Sequence, residues 1–539
     1  MVSIMSAQPI NVDDEDSGTG RRLPFRQSLL AILGLCFVTI LVGLDQSIVG
    51  TAMPTIAAEL NSFDLYAWVG TSYLLASVIT VPIFGRLGDF YGRKPFVIAS
   101  IVIFTTASIL SGMADSMLHL ILSRALQGIG GGMLVGTAFA CIPDLFPVAA
   151  VRLKWQVFLS SAYGIASVVG PSLGGFLTEY YGWRSIFFVN VPISLLGLWF
   201  VWQYLPLIRY QYKQVIRLDW VGAVLITLAL GSLQLFVEFL GRHGMGWNVA
   251  MLGLLFVLFT LILFKWESHC PYALIPLELF RVKSLNVLFL LSLLLGFTLF
   301  SLLFYIPLFL QGGFALSPNE AGILITPLVV CVTVGSILSG RIVTRLKRPN
   351  DILYAGFVLV LVCILGTIFS NRGGSSYVFM AYMVAGGVGL GMIMPNLTIF
   401  SQEVAGKSNL GIATALVQSI RMIGGMLGIA IVGSLVNYLY AAGMTRQISD
   451  KIPPNSLQDL FDVQVLVNPA QQAALQAQAQ QIGIGDIQFW IDTGRETLIA
   501  SIHSGFWIVL ALTLLATVWV YRLPLIDLKG KKTDKQKGV

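Results

Sequence analysis

Long apolar runs alternate with short polar breaks along almost the whole chain. A helix needs roughly 20 consecutive apolar residues to cross the hydrocarbon core of a bilayer. By this length the pattern predicts about fourteen membrane-spanning helices. The predicted spans, numbered in chain order, lie at residues 29–53, 66–86, 95–113, 118–142, 155–179, 185–206, 219–241, 248–265, 284–311, 320–343, 350–370, 376–400, 411–440 and 502–522. The expected fold class is therefore an all-α polytopic membrane protein.

Composition agrees with this pattern. Of the 539 residues, 56% are hydrophobic and 11% are charged, and the mean hydropathy is +0.82. A typical soluble domain has about 25% charged residues, so lipid is the expected solvent for most of this chain. Among the five cysteines only Cys270 falls in a predicted loop. The other four lie within spans, which indicates small packing residues and no disulfide framework.

The basic residues are unevenly distributed between the two sides of the predicted membrane. On the side of the N-terminus, the loops contain Arg21, Arg22, Arg26, Arg86, Arg93, Lys94, Arg152, Lys154, Arg209, Lys213, Arg217, Lys265, Arg281, Lys283, Arg341, Arg345, Lys347, Arg348, Lys407, Arg522 and the lysines of the tail. The opposite loops contain only Arg184, Arg242, Arg372, Arg446, Lys451 and Arg495. This asymmetry of about four to one predicts cytoplasmic termini and a multi-pass protein of the inner (cytoplasmic) membrane. Because the basic residues are scattered over loops, the net charge of +7 needs no nucleic-acid partner.

Two pairs of segments are weak copies of each other. Residues 85–87 (GRL) recur as 340–342 (GRI), and residues 128–133 (GIGGGM) recur as 387–392 (GVGLGM). Offsets of about 255 to 259 residues are typical of parallel repeats in transporters. The predicted organisation is a cytoplasmic tail at 1–28, an N-terminal six-helix half at 29–206, two inserted spans with cytoplasmic linkers at 207–283, a C-terminal six-helix half at 284–522 that includes a long outer loop at 441–500, and a basic cytoplasmic tail at 523–539. The outer loop contains a run of Ala and Gln, which favour helix. The sequence does not decide whether this loop is a spacer or docks a periplasmic partner.

The segment 85–94 (GRLGDFYGRK), between spans 2 and 3, carries an acid among bases. Asp89 and Arg93 are four residues apart at a helix end and can pair, and the glycines permit a tight turn. The segment resembles the loop signature of the major facilitator superfamily. That resemblance implies a conformational latch in which the aspartate lies against the start of span 13. The latch residues are Gly85, Asp89, Gly92, Arg93 and Lys94.

Further segments resemble the fourteen-span drug:proton antiporter family of that superfamily (EmrB/QacA type). They are residues 44–49 (LDQSIV), 124–128 (RALQG), 183–192 (WRSIFFVNVP) and 305–311 (YIPLFLQ). The resemblance implies a major facilitator fold with two six-helix bundles plus two inserted helices. It also implies a proton-coupled exporter.

Span 5 resembles the antiporter motif, which is a mark of exporters. Its residues are Gly164, Gly170, Pro171, Gly174 and Gly175. Small residues four apart let membrane helices approach closely. Span 10 offers the expected matching surface, formed by Gly335, Ser336, Ser339 and Gly340.

Charged residues within membrane spans are costly, and they indicate function. Asp45 in span 1, Arg124 in span 4 and Glu238 in span 7 are the candidate proton-coupling and substrate-binding residues. Structural ion pairing is the alternative for Asp45 and Arg124, and an interfacial position is the alternative for Glu238. Asp45 is expected to face the centre of the protein, where a proton and a cationic substrate would compete for it. Further candidates, with structural, gate or surface roles as alternatives, are Arg421, Glu403 and Asp144.

The expected function is proton-coupled multidrug efflux of lipophilic, cationic compounds by alternating access. An exporter of an endogenous metabolite, such as a siderophore, lipid or antibiotic, would share every motif, and it stays open as the alternative. The sequence lacks a phosphate-binding Gly-x-x-x-x-Gly-Lys loop and a His-Glu-x-x-His metal motif, so an enzyme, a cofactor and a metal site are not expected. The expected partners are a small amphipathic substrate, protons and membrane lipids. The protein is expected to be a monomer. The use of a periplasmic adaptor stays open.

Overall fold

The computed structural model describes most of the chain. The described residues are 24–138, 141–146, 149–207, 219–243, 246–270, 273, 277–343, 345–405, 410–448, 460, 463–482 and 487–524. Inside the helices many side chains also lie outside the description, among them those of Asp89, Asp144 and Glu238.

These residues form α-helices and short turns, and no β-strand occurs in the described ranges. The helices are α1 (Phe25–Glu59), α2 (Tyr66–Tyr91), α3 (Arg93–Gly112), α4 (Met117–Ala138), α5 (Cys141–Leu145), α6 (Ala149–Tyr181), α7 (Ser185–Phe188), α8 (Asn190–Tyr204), α9 (Trp220–His243), α10 (Trp247–Glu267), α11 (Lys283–Leu308), α12 (Pro318–Val343), α13 (Asp351–Ile368), α14 (Ser376–Ala405), α15 (Leu410–Ile448), α16 (Gln464–Val467), α17 (Pro469–Ile482) and α18 (Ile487–Trp519). A π-helical turn, Phe309–Gly313, follows α11.

Thirteen helical segments in the described part of the chain are long and apolar enough to cross a membrane. They correspond to all of the predicted spans except the fifth. The fifth corresponds to α6, a helix of 33 residues that packs along α1 and α12. The expectation of an all-helical, polytopic membrane protein is confirmed.

The two halves repeat one pattern of helix packing. In the first half α1 packs against α6, both α2 and α3 pack against α4, and α3 packs against α8. In the second half α11 packs against α15, both α12 and α13 pack against α14, and α13 packs against α18. Corresponding helices therefore make corresponding contacts, as parallel repeats require. The halves meet along α2 with α15 and along α6 with α12.

The glycine runs noted in the sequence explain part of this repetition. In α4, the backbones at Gly128 and Gly132 lie against α2, and Gly130 lies against α3. In the run 387–392, the corresponding glycines of α14 lie against α12 and α13 in the same way. A Cβ at these positions would collide with the neighbouring helix, so the runs allow two neighbours to approach one central helix in each half. The boundaries of the predicted domains stay predictions.

The inserted pair, α9 and α10, lies at the edge of the molecule. Helix α9 packs against α10, α15 and α2. In α10, Val249 and Glu267 are the buried residues, whereas Leu254 and Leu261 are 67% and 63% exposed. A helix that is apolar on its exposed face suits a lipid boundary. The pair therefore covers the contact between α2 and α15 from the lipid side.

The segment after α15 differs from the predicted loop 441–500. Helix α15 continues to Ile448, and α18 already begins at Ile487. Polar residues near these two helix ends lowered the hydropathy of the sequence without ending the helices. Between them, the Ala- and Gln-rich run forms α17, as its composition favours.

This segment contacts the end of α1. The side chain of Asn468 donates a hydrogen bond to the main-chain oxygen of Ala58, at 3.1 Å. The side chain of Gln471 donates to Oδ1 of Asn61, at 2.6 Å. We call the side of the molecule that holds these contacts the outer side, following the orientation that the loop charges predict. Residues after α15 thus touch the N-terminal half on that side.

Candidate functional site

A buried ion pair lies inside the N-terminal half. Nη1 of Arg124 in α4 donates to Oδ2 of Asp45 in α1, at 2.8 Å. Asp45 is 0% exposed and Arg124 is 2% exposed. An unpaired charge at this depth in a membrane protein is costly, and each member of the pair compensates the other. The structure therefore brings together two of the charged residues that the sequence singled out.

Two amides complete the surroundings of the carboxylate. Nε2 of Gln127 donates to Oδ1 of Asp45 at 2.7 Å, and Nδ2 of Asn190 reaches the same oxygen at 3.3 Å. Oε1 of Gln127 also accepts a bond from Nη1 of Arg124, at 2.8 Å. Ser108 of α3 accepts a bond from Asn190, at 3.0 Å. The ion pair thus joins α1, α3, α4 and α8 through one polar network.

Gln127 and Asn190 were not identified from the sequence as site residues. Both lie in segments that carry the family resemblance, since Gln127 is three positions after Arg124 and Asn190 lies in the segment 183–192. The i, i+3 spacing places Gln127 and Arg124 on one face of α4, which was the available signal. Asn190 gave no signal of its own, because a neutral amide in an apolar span carries no charge.

The network retains polar atoms without partners. Nε of Arg124 and Oδ1 of Asn190 are buried and have no hydrogen-bond partner among the described residues. The Arg124 guanidinium lies over the ring of Tyr73 in α2, 4.5 Å from its centroid, a cation–π contact that adds to its stabilisation. An unpaired donor and an unpaired acceptor therefore remain beside the ion pair.

The direction of Asp45 corrects one expectation. Its carboxylate points toward α4 and α8 of its own half and has no exposed surface. Arg124 neutralises its charge inside the half, and its described contacts are all with that half. The next residue, Gln46, is partly exposed instead, and its Oε1 accepts a hydrogen bond from the hydroxyl of Tyr163 in α6, at 2.8 Å.

Arg421 lies in the opposite half, on α15. Its side chain lies near Tyr163 and donates a hydrogen bond to Gln418. Arg421, Tyr163 and Gln46 are each partly exposed. These three residues come from both halves, and we call the region between the halves at their level the central space. Neither Gln46 nor Tyr163 was identified from the sequence, since neutral polar residues are common in spans.

The antiporter-motif glycines of α6 contact two different neighbouring helices. The backbones at Gly170 and Gly174 lie against Ser47, Ile48 and Thr51 of α1. A Cβ at either glycine would collide with atoms of that helix. This face therefore holds α6 tightly to α1 within the N-terminal half.

The other face of α6 meets α12 of the C-terminal half. Gly164 lies against Thr333, Gly175 lies against Pro318, and the main-chain oxygen of Pro171 lies against Gly322. The expected partner surface was wrong: Gly335 and residues 336 and 339 contact α14 instead, and Gly340 has no neighbour within 4 Å of a Cβ position. Small residues occupy two faces of α12, and sequence alone does not say which face meets which helix.

The latch residues are described only in part. Gly92 adopts a φ of 87° between α2 and α3, a conformation that favours glycine. Lys94 and Arg93 are half-buried at the start of α3, and Gly85 lies near Gly136 of α4. The Asp89 side chain and residues 406–409, its expected partner region, lie outside the described residues.

The remaining sequence candidates take no part in the described network. The side chains of Glu238 and Asp144 lie outside the described residues, and Glu403 is exposed near the end of α14. Their roles stay predictions.

Hydrogen bonds join the two halves on the outer side. Nε2 of Gln311, in the π-helical turn, donates to the main-chain oxygen of Thr51, at 2.8 Å. The hydroxyl of Tyr66 donates to the main-chain oxygen of Phe304, at 2.8 Å. These bonds join buried groups of opposite halves. The outer ends of the halves are therefore closed against each other.

Comparisons with known proteins agree with this architecture. A family model described as Major Facilitator Superfamily matches residues 35–429. The chain is 30% identical over 523 residues to the multidrug transporter protein MdtP of Bacillus subtilis (strain 168), covering 94% of this chain and 95% of that protein. It is 32% identical over 425 residues to multidrug resistance protein 3 of the same organism, covering 78% and 81%. Its fold is similar to that of a bacterial homolog of the human lysosomal transporter Spinster in an inward-facing, occupied conformation, with a TM-score of 0.61, 17% identity and coverage of 94% and 98%.

Proposed function

The chain belongs to the Major Facilitator Superfamily, and from this premise we propose that it is a proton-coupled exporter of amphipathic compounds that works by alternating access. It is a multi-pass membrane transporter and not an enzyme. In the orientation that the loop charges favour, it lies in the inner membrane with both termini in the cytoplasm. Export then means movement from the central space to the outer side.

The observation that carries proton coupling is the buried pair of Asp45 and Arg124. A proton that binds Asp45 removes the negative charge and leaves the Arg124 guanidinium uncompensated. Losing one member of a buried pair costs several kcal/mol. Protonation of one carboxylate therefore changes the free-energy difference between two arrangements of α1 and α4 by a large amount.

The network also accepts the protonated form of Asp45. A neutral carboxyl group needs an acceptor for its O–H. Asn190 lies beside Asp45 with its Oδ1 unpaired among the described residues, and a rotation of the amide turns that acceptor toward the carboxyl group. Asn190 thus serves the charged form as a donor and the neutral form as an acceptor. Ordinary packing would not require an amide at this place.

Alternating access is supported by where the halves touch. The hydrogen bonds of Gln311 and Tyr66 across the halves lie on the outer side, and the glycine surface of α6 forms a close contact with α12. Tightly packed interfaces are bistable and suit a rigid rocking motion. In the proposed cycle these contacts break when the outer side opens.

The substrate class is proposed from the relatives and from the central space. Two relatives are named multidrug proteins, which favours amphipathic compounds of varied structure. The expected preference for cations rested on an Asp45 that faces the centre, and Arg124 neutralises that carboxylate instead. The geometry therefore supports an amphipathic substrate without requiring a positive charge. Export of an endogenous amphipathic metabolite remains the alternative.

Proteoliposomes test this function. With the purified chain and an acidic lumen, the pH gradient should drive uptake of a fluorescent amphipathic probe, and addition of the probe should release protons from the lumen. Asp45→Asn should abolish both signals. The matched control is Asp492→Asn, which removes an exposed carboxylate paired with Arg372 on the outer side, and it should retain both. Gradient-driven uptake and proton release by Asp45→Asn at the wild-type rate would refute the proposal.

A further inference from the structure

The charge on Arg421 has no counterpart in the described part of the chain. Its hydrogen bond goes to Gln418, three residues earlier on the same helix, and none of the described carboxylates forms an ion pair with it. A guanidinium carries five N–H donors in a planar fork. Arg124 in α4 has Asp45 as its partner. Arg421 and Arg124 therefore differ in whether a described carboxylate compensates their charge.

Packing fixes the position of Arg421. Its main-chain oxygen lies against Gly296 of α11, so closely that a Cβ at Gly296 would collide with it. Three residues further along α15, Gly424 lies against Leu293 of the same helix. The backbone of α15 is therefore held on α11 at this level, while the Arg421 side chain lies near Tyr163 of the opposite half.

The groups next to Arg421 are polar and neutral. The Tyr163 hydroxyl donates a hydrogen bond to Gln46, at 2.8 Å, and Gln46 also lies beside the hydroxyl of Tyr73. The Arg124 guanidinium in turn lies over the ring of Tyr73 in a cation–π contact. A row of polar side chains, which we call the polar path, thus lies between Arg421 and the buried ion pair. Between those two ends, its described members carry hydroxyl and amide groups and no acid.

We propose that Arg421, with Gln418 and Tyr163, forms an anion-accepting subsite in the central space, and that the exported compounds are amphipathic acids bearing a carboxylate. This proposal rests on the proposed export function. A guanidinium within the membrane is costly without a counter-charge, and a carboxylate matches its fork with two parallel hydrogen bonds. Lysine would keep the charge and lose that bidentate geometry.

The polar path gives the subsite a link to the proton. An anion bound at Arg421 interacts with the Tyr163 hydroxyl, and through Gln46 and Tyr73 it reaches the groups around Arg124. The anion and the proton therefore bind to different side chains, Arg421 and Asp45, and do not compete for one carboxylate.

Binding to the purified full-length chain tests the subsite. The probes are 9-anthracenecarboxylate, its methyl ester and the corresponding 9-anthracenemethylamine, which share one apolar body and differ in charge. Wild type should bind the carboxylate about tenfold more tightly than the ester, as a charge-assisted hydrogen bond allows. Arg421→Gln should lose that preference and keep its affinity for the ester, and Arg421→Lys should keep part of it. Arg446→Gln, at an exposed site of the same helix, should behave as wild type.

The outcomes separate this proposal from the export function. Equal binding of the carboxylate and ester by wild type, tighter binding of the amine, or an unchanged preference in Arg421→Gln overturns the subsite. If these occur while a pH gradient still drives probe uptake, the export function stands alone. If the carboxylate preference depends on Arg421 but no gradient drives transport, the subsite stands and the export function fails. Retained ester affinity in Arg421→Gln shows that the variant is folded.

Discussion

Gln311 of the C-terminal half donates a hydrogen bond to the main-chain oxygen of Thr51 in the N-terminal half, at 2.8 Å. Gln311 is 4% exposed and Thr51 is 1% exposed. The bond lies where the π-helical turn after α11 meets the outer part of α1. Because the two groups belong to different halves, the bond must break if the halves separate on the outer side.

We therefore expect Gln311→Ala to shift the protein toward an outward-open state. One hydrogen bond contributes about 1 kcal/mol, which corresponds to roughly a fivefold change in the ratio of the two states. Accessibility of a cysteine placed at Thr55 to an impermeant thiol reagent measures that ratio. The matched control is Gln447→Ala, because Gln447 donates to Thr497 within the C-terminal half, at 3.2 Å. Equal labelling of both variants would contradict an outer gate at Gln311.

Removal of Arg124 should destabilise the protein more than removal of the whole ion pair. Arg124→Gln leaves the Asp45 carboxylate buried without its counter-charge, which costs about 3–5 kcal/mol. In Arg124→Gln/Asp45→Asn neither charge remains, so much of the stability should return. Thermal unfolding of the four proteins of this double-mutant cycle measures the difference. Additive effects of the two substitutions would show that the pair is not coupled.

Local signals predicted the spans and the repeat, and contacts between distant helices were harder to predict. Hydropathy located thirteen spans that the structure contains as long apolar helices, and the glycine runs marked the crowded faces of α4 and α14. The direction of Asp45 was not predictable, because α1 is buried on nearly every side. An apolar pattern of that kind does not distinguish the face toward the centre from the face toward α4.

The same limit applies to the site residues that the sequence did not reveal. Gln127 and Asn190 are neutral amides whose importance comes from the carboxylate they contact. Arg421 stood out by its charge, but its lack of an acidic partner among the described residues is a property of the fold. Sequence identifies charges in a membrane, and only the packing shows which of them are already neutralised.

The glycines of α6 should be sensitive to substitution where they meet α1. A Cβ at Gly174 would collide with the Thr51 hydroxyl and lie 2.8 Å from the main-chain oxygen of Ile48. Overpacking of this kind costs about 1–3 kcal/mol. We expect Gly174→Ala to reduce transport and thermal stability together. Gly340→Ala in α12 is the control, because that position has nothing within 4 Å of a Cβ. A stable and fully active Gly174→Ala would show that the close contact is not needed.

The outer segment should restrain the N-terminal half when the outer side is closed. Gln471 in α17 contacts Asn61 just beyond α1, so opening of the outer side in the proposed cycle must separate these two side chains. With Gln471→Cys and Asn61→Cys in a chain whose partly exposed Cys270 and Cys331 are replaced by serine, a short bismaleimide should cross-link the pair. We expect the cross-linked protein to lose gradient-driven transport and each single-cysteine variant to retain it.

A second cross-link on the same surface distinguishes a blocked gate from general damage. Glu59 and Arg184 form an ion pair at 2.5 Å, and both belong to the N-terminal half. A bismaleimide between cysteines at these two positions ties α1 to the start of α7, which move together as parts of one half. Transport should therefore survive it. Full transport with the Asn61–Gln471 pair cross-linked would show that the outer segment does not have to leave α1 during the cycle. Loss of transport with the Glu59–Arg184 pair would show that cross-linking on this surface damages transport in general, and would overturn the outer segment as a specific gate.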